Sequence, residues 1–302
     1  MSALLAAAAH RGRWLLVAGL LLGVGWPGLA TALTPLILPL IGALLFLAAL
    51  RIGPAGLRLD RRALWSGLRF ALIFQFALPL AALAIALGVG VAGTALATGV
   101  ILSLAAPPLN GAPGLAVILR AQPEPALRQV VIGTVLLPVT VLPVLAFLPA
   151  VTGASEIGGA VARLLALILI AGGGGLVIRG ARPSLGEHLP QIDGLMAIAM
   201  MLVVIALMSA IGPALRSGDP ALPLTLLAVF AVNYALQAAT AHKLRGRPEA
   251  LPLALCAGNR NFAIFLAVVP TQTAQDLLLF TGCFQVPMYL TPALMGPVLR
   301  RL

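Results

Sequence analysis

Apolar residues run through this chain in long uninterrupted stretches, and nearly all the charged residues fall between them. Stretches such as RWLLVAGLLLGVGWPGLA and LTPLILPLIGALLFLAAL approach the roughly 20 residues needed to cross a hydrocarbon core about 30 Å thick. A transmembrane barrel would instead alternate apolar and polar residues in segments of about ten, and no such alternation occurs. Every backbone amide in lipid needs a partner within the protein, so runs of this kind are helices. Ten are predicted, near 14–31, 33–50, 69–90, 94–119, 127–150, 157–179, 193–213, 220–241, 249–270 and 276–299. The expected fold class is an all-α integral membrane protein whose main partner is the lipid bilayer.

Composition strengthens that reading. Hydrophobic residues make up 61% of the chain and charged residues 9%, with a mean hydropathy of +1.09. A soluble domain carries about a quarter charged residues, and no polar stretch here is long enough to form one. A pI near 11.6 would point to nucleic acid in a soluble protein. Here the positive charge reports topology, and no nucleic-acid partner is expected. Sixteen Lys and Arg residues lie at the N-terminus, in the even-numbered connections and at the C-terminus: Arg11, Arg13, Arg51, Arg58, Arg61, Arg62, Arg69, Arg120, Arg128, Arg179, Arg182, Lys243, Arg245, Arg247, Arg300 and Arg301. Arg216 stands alone on the other side. The positive-inside rule then puts both termini in the cytoplasm, which requires an even number of spans, and the expected location is a plasma membrane of the bacterial inner-membrane type. The first run, with Arg11 and Arg13 before it and Ala30-Thr31-Ala32 at its end, has some features of a signal peptide. Removing it would leave an odd number of spans, so it is expected to be retained.

Internal similarity organises the spans. A shift of 149 residues superposes Gly23 on Gly172, Gly25 on Gly174, Asn110 on Asn259, Gly133 on Gly282, Pro138 on Pro287 and Pro143 on Pro292. Residues 1–150 and 151–302 are therefore predicted to be five-helix repeats. An odd number of spans per repeat inverts the second relative to the first, a plan common among secondary transporters.

Two spans are interrupted in corresponding places. The fourth contains Pro107, Pro108, Asn110, Gly111, Pro113 and Gly114, and the ninth contains Gly258, Asn259, Arg260 and Asn261. Proline removes an amide donor and blocks the preceding turn. Irregular backbone at membrane depth is tolerated where protein buries it or it lines a cavity. Such paired breaks mark a transporter's binding site; simple kinks without a ligand are the plain alternative. Arg260 is the most informative residue, because a mid-membrane arginine costs at least ~2.5–3.5 kcal/mol. No acidic residue is predicted at its depth. Its partners must be carbonyls freed by the breaks or a bound anion, and the start of the second half-helix would add positive potential. Arg163 lies near a span end and is expected to snorkel. Gln75, Thr134, Thr140, Asn233, Gln237 and Gln285 are further polar groups within spans, each able to make an interhelical hydrogen bond. Cys256 and Cys283 lie in apolar runs and build neither a disulfide framework nor a metal site, and no cofactor is expected.

The ninth-span ALCAGNRNFAIFLAVV, the fourth-span APPLNGAPGLAVIL and the fifth-span VLLPVTVLPVL resemble the bile acid:sodium symporter family. The resemblance covers nearly the whole chain. It implies a core domain of helices 3–5 and 8–10 with broken, crossed helices 4 and 9, and a panel domain of helices 1–2 and 6–7. It also implies transport of organic anions, usually coupled to sodium. The family's glutamate two residues before the ninth-span glycine is Cys256 here, and its glutamine two residues after is Arg260. Its fourth-span Ser-Asn pair falls on Ala112 and Pro113, while its third-span glutamine is kept as Gln75. Loss of these oxygen ligands, with a guanidinium added, argues against sodium coupling. The expected function is secondary transport of a small organic anion, with substrate contacts from Asn110, Gly111, Pro113, Asn259, Arg260 and Asn261. Gln75, Thr134, Thr140, Cys256 and Gln285 are expected in ion or supporting roles. A non-transporting sensor of the same fold and an intramembrane enzyme are the alternatives; no HExxH, GxSxG or paired-acid motif supports the enzyme.

Overall fold

The computed structural model describes residues 2–57, 60–151 and 153–299; Arg58, Arg300 and Arg301, three of the basic residues that set the expected topology, lie outside them. In chain order the helices are α1 (Ser2–His10), α2 (Gly12–Gly25), α3 (Pro27–Ile52), α4 (Arg61–Val89), α5 (Ala95–Ala105), α6 (Ala112–Ile118) and α7 (Glu124–Phe147). They continue as α8 (Ala154–Ala181), α9 (Pro183–Ser217), α10 (Ala221–Lys243), α11 (Ala250–Gly258) and α12 (Leu278–Leu294), with short helical turns at Thr271–Asp276 and Gly296–Leu299. Several long helices contain short 3₁₀ or π segments. No strand occurs among the described residues. The six helices α3, α4, α7, α8, α9 and α10 are long and apolar enough to cross a membrane, and the protein is membrane-embedded. The other apolar stretches are shorter or broken.

Several boundaries differ from expectation: α4 begins at Arg61 and α9 at Pro183, each well before the predicted span, and the first helix ends early. The sequence pattern predicts that the first span runs to residue 31, but the helix stops at Gly25, and Trp26 leaves helical geometry at φ −127°, ψ 78°. Pro27 follows at the first position of α3, where its missing N–H costs nothing. Residues 27–31 therefore belong to α3. Arg11 and Arg13, expected in a terminal loop, stand between α1 and α2 and in the first turn of α2.

The chain forms two compact units. One is Met1–Arg58 with Arg163–Leu222; the other is Leu59–Ala162 with Pro223–Leu302. Each draws on both halves of the sequence, so neither half is by itself a compact body. In the first unit α1, α2 and α3 pack on α9, and α3 packs on α8. Glycines allow this close approach: a Cβ on Gly175 would strike the backbone of Phe46, and one on Gly194 the backbone of Leu5. Small residues at helix contacts are what bilayers favour, since no hydrophobic drive separates helix from lipid. Arg51 and Asp193 form an ion pair at 2.6 Å, each about one-third exposed.

The second unit carries the interruptions. In α4, residues Leu72–Ala77 form a π-helical segment in which the amide of Leu78 bonds the carbonyl of Ile73. That carbonyl is one residue further back than an α-helix would use, so the carbonyl of Phe74 is released. Pro79, which has no N–H to offer to Gln75, lies just beyond.

Candidate functional site

The α5 helix ends at Ala105, and Ala106 is extended at φ −63°, ψ 150°. The Pro107-Pro108 pair has no amide with which to continue the helix, and the chain re-enters helical geometry only at Ala112. The α11 helix ends at Gly258, followed by extended Asn259 and then a 3₁₀ turn over Phe262–Ala267. The two breaks meet. Leu109 N donates to Asn259 O at 2.9 Å and Asn261 N to Pro107 O at 2.8 Å, forming an isolated antiparallel bridge between Pro108 and Arg260. The bridge pairs Pro108 with Arg260.

Arg260 is 1% exposed. Its Nε donates to Ala257 O at 2.9 Å, Nη1 to Ala106 O at 3.0 Å and Nη2 to Phe74 O at 3.2 Å. The guanidinium carbon also stands 5.5 Å from the centre of the Phe74 ring. Of the two kinds of partner the sequence allowed, the structure shows the carbonyls. Ala106 and Ala257 close α5 and α11, whose C-terminal carbonyls lack helical partners and carry the negative end of the dipole. The guanidinium thus caps two half-helices and fills the vacancy left by the π segment. This corrects the expected electrostatics: the helix ends at Arg260 offset its charge instead of adding to it.

A second polar cluster supports the break of α11. Asn233 Nδ2 of α10 donates to Gly258 O at 2.9 Å and lies 3.4 Å from Asn259 Oδ1. Gln237 Nε2 bonds Asn233 Oδ1 and, at 3.2 Å, Thr291 Oγ1. Thr291 lies on α12, within reach of Asn259 Oδ1 at 3.2 Å and Pro287 O at 2.9 Å. Gly258 leaves room for this network, since a Cβ there would collide with Asn233 O and Gln237. On the other side, Gln75 is fully buried and donates to Gly133 O at 3.0 Å. Gly133 in turn has no room for a side chain, being pressed against Gln75 Oε1 and the ring of Pro108.

The remaining predicted residues divide. Asn110, Gly111 and Asn261 are half-buried at the crossing, and Pro113 is buried at the start of α6. Cys256 is buried one turn before the break, its Sγ 3.9 Å from Ala126 O. Thr140 donates to carbonyls of its own helix, at Leu136 and Leu137. Thr134 is half-buried and Gln285 buried, without a bond to either break. Arg163 is exposed. Among the described residues no cluster of His, Cys, Asp and Glu could hold a metal. Sequence reading missed the Phe74 carbonyl, for which Pro79 was the available signal, and it missed Thr291.

Several buried polar atoms around the crossing have no partner: Asn110 Oδ1, Asn259 Nδ2, Gln75 Oε1 and Gln237 Oε1. Buried polar groups are normally satisfied, so a donor and acceptors left open beside two broken helices are what a polar ligand or ordered water would occupy. Comparison with models of known protein families returns no match, and no characterised protein is recognisably similar in sequence.

Proposed function

We propose that this protein is a secondary transporter for a small organic anion, built on ten spans in two inverted repeats and working by alternating access. The observation that carries this reading is the pairing of two interrupted helices by backbone hydrogen bonds inside one unit, with open buried polar atoms around the pairing. Discontinuous helices meeting in this way are the usual setting of a transporter's substrate site. Asn110, Asn259 and Asn261 offer the ligand both donors and acceptors. The only formal charge among the residues of the two breaks is that of Arg260, which favours an anion over a cation.

Arg260 takes the part that a coupling cation would play. Three carbonyls from three chain segments converge on it, and a fixed charge among them leaves no role for sodium. The test is counterflow in proteoliposomes loaded with unlabelled carboxylates, assaying a panel of labelled aliphatic and bulky hydrophobic acids. Saturable exchange of at least one acid, unchanged when sodium is replaced by potassium, is the expected result. Ligand-dependent thermal stabilisation without any exchange would make the protein a receptor, and sodium-stimulated uptake would overturn the role given to Arg260.

A further inference from the structure

Away from the crossing, the second unit holds a cavity of about 330 Å³ lined by Asp60, Arg62, Ser66, Arg128, Gln129 and Glu249, with small and apolar residues beneath. Three helix starts converge on it. Asp60 caps α4, accepting the amide of Ala63 at 2.6 Å, Arg128 and Gln129 lie in the opening turns of α7, and Glu249 precedes α11. Gln129 is 2% exposed, with its Nε2 held 3.3 Å from Gly67 O. Among the described residues Arg62, Arg128 and Glu249 have no hydrogen-bond or ion-pair partner, and Asp60 has only its capping bond. Two guanidiniums and two carboxylates thus share one cavity without neutralising one another.

That lining selects its ligand. A simple anion would meet two carboxylates, and a simple cation would meet two guanidiniums and three helix N-termini. A molecule carrying both charges a few bonds apart satisfies each set, and planar guanidiniums suit a phosphate in particular. The cavity is also placed for a lipid. Two membrane-crossing helices, α4 and α7, begin at it, which sets it at the level of the headgroups. We infer that it binds a zwitterionic phosphate ester with a primary ammonium, the phosphoethanolamine group, with the phosphate on Arg62 and Arg128 and the ammonium on Glu249 and Asp60. A primary ammonium has three N–H donors for these carboxylates; a quaternary one has none.

The experiment uses the purified full chain in detergent micelles. Melting temperature is followed with short-chain phosphatidylethanolamine, phosphatidylcholine and phosphatidylglycerol, and with soluble O-phosphoethanolamine. Phosphatidylethanolamine should stabilise most. Glu249→Gln, or Asp60→Asn (which keeps the helix cap), should weaken that response about fivefold, the scale of one part-exposed ion pair, while leaving the phosphatidylglycerol response intact. The intact phosphatidylglycerol response also shows that the variants fold. Arg62→Gln with Arg128→Gln should abolish both responses. Equal stabilisation by soluble O-phosphoethanolamine would support the same chemistry with a soluble ligand as its source. Equal responses to ethanolamine and glycerol lipids that Glu249→Gln leaves unchanged would overturn the proposal, as would no response to any of these headgroups.

Discussion

The two breaks reach the same geometry by opposite chemistry. The first is built by subtraction: Pro107 and Pro108, with no amides, end the helix, and the carbonyls of Ala106 and Pro107, now outside helical geometry, accept from elsewhere. The second is built by addition, since Arg260 brings guanidinium donors and Asn261 a free amide to those same carbonyls. The first returns a single donor, Leu109 N, to Asn259 O. An acceptor-rich break facing a donor-rich one satisfies most of the irregular backbone without water. Two proline breaks would have too few donors, and two arginine breaks would place like charges together.

The largest effect should come from taking the donors away. Arg260→Leu keeps bulk but orphans the carbonyls of Phe74, Ala106 and Ala257. At ~1–3 kcal/mol for each buried unsatisfied group, the variant should lose about 3 kcal/mol or more in reversible unfolding from mixed micelles. Loss of under about 1 kcal/mol would mean that the guanidinium is not what holds the crossing.

A second variant asks whether the fixed charge stands in for an ion. Cys256→Glu combined with Arg260→Gln supplies an anionic and a neutral oxygen ligand where the guanidinium lay. It should acquire sodium-dependent stability that the parent lacks: about 1.4 kcal/mol at a sodium concentration tenfold above the dissociation constant. The check is melting temperature in sodium against potassium at equal ionic strength. A parent that responds to sodium, or a variant that does not, would contradict the substitution argument.

The smallest effect should be seen in the side-chain support of the second break. Gln237→Met keeps the shape but removes the donor to Asn233 and Thr291, together with the unpartnered Oε1. Because an orphan is lost along with two bonds, the net cost should be about 1 kcal/mol. A cost as large as that of Arg260→Leu would show that the second break depends on its side chains more than on its backbone.

Much of this was legible because the relevant signals are covalent. Proline pairs, glycine and a lone arginine in an apolar run announce broken helices and a need for partners. Carbonyls carry no such mark. That Phe74 would supply one depends on the π segment of α4, and only Pro79 hints at it. The polar residues Asn233 and Gln237 could be read as interhelical bonds but not assigned to the break they serve. Trp26-Pro27 was read through as part of one apolar run, since hydropathy is blind to a single non-helical residue. The charged cavity was hidden for a related reason: in a membrane protein, arginines between spans are fully accounted for by topology, so no excess charge remained to draw attention to Arg62 and Arg128.

The bridge between Pro108 and Arg260 also bears on how the protein is made. The carbonyls of Ala106 and Pro107 and the amide of Leu109 find their partners in residues 259–261, so during synthesis the first break must persist in an unfinished state while some 150 further residues are threaded into the bilayer. Hydrogen-bonding groups left open in lipid are costly, and contacts of such long sequence separation form late. A nascent chain that stalls before Arg260 presents exposed backbone at Ala106 and Pro107, a signature by which quality-control machinery could tell an incomplete molecule from a finished one.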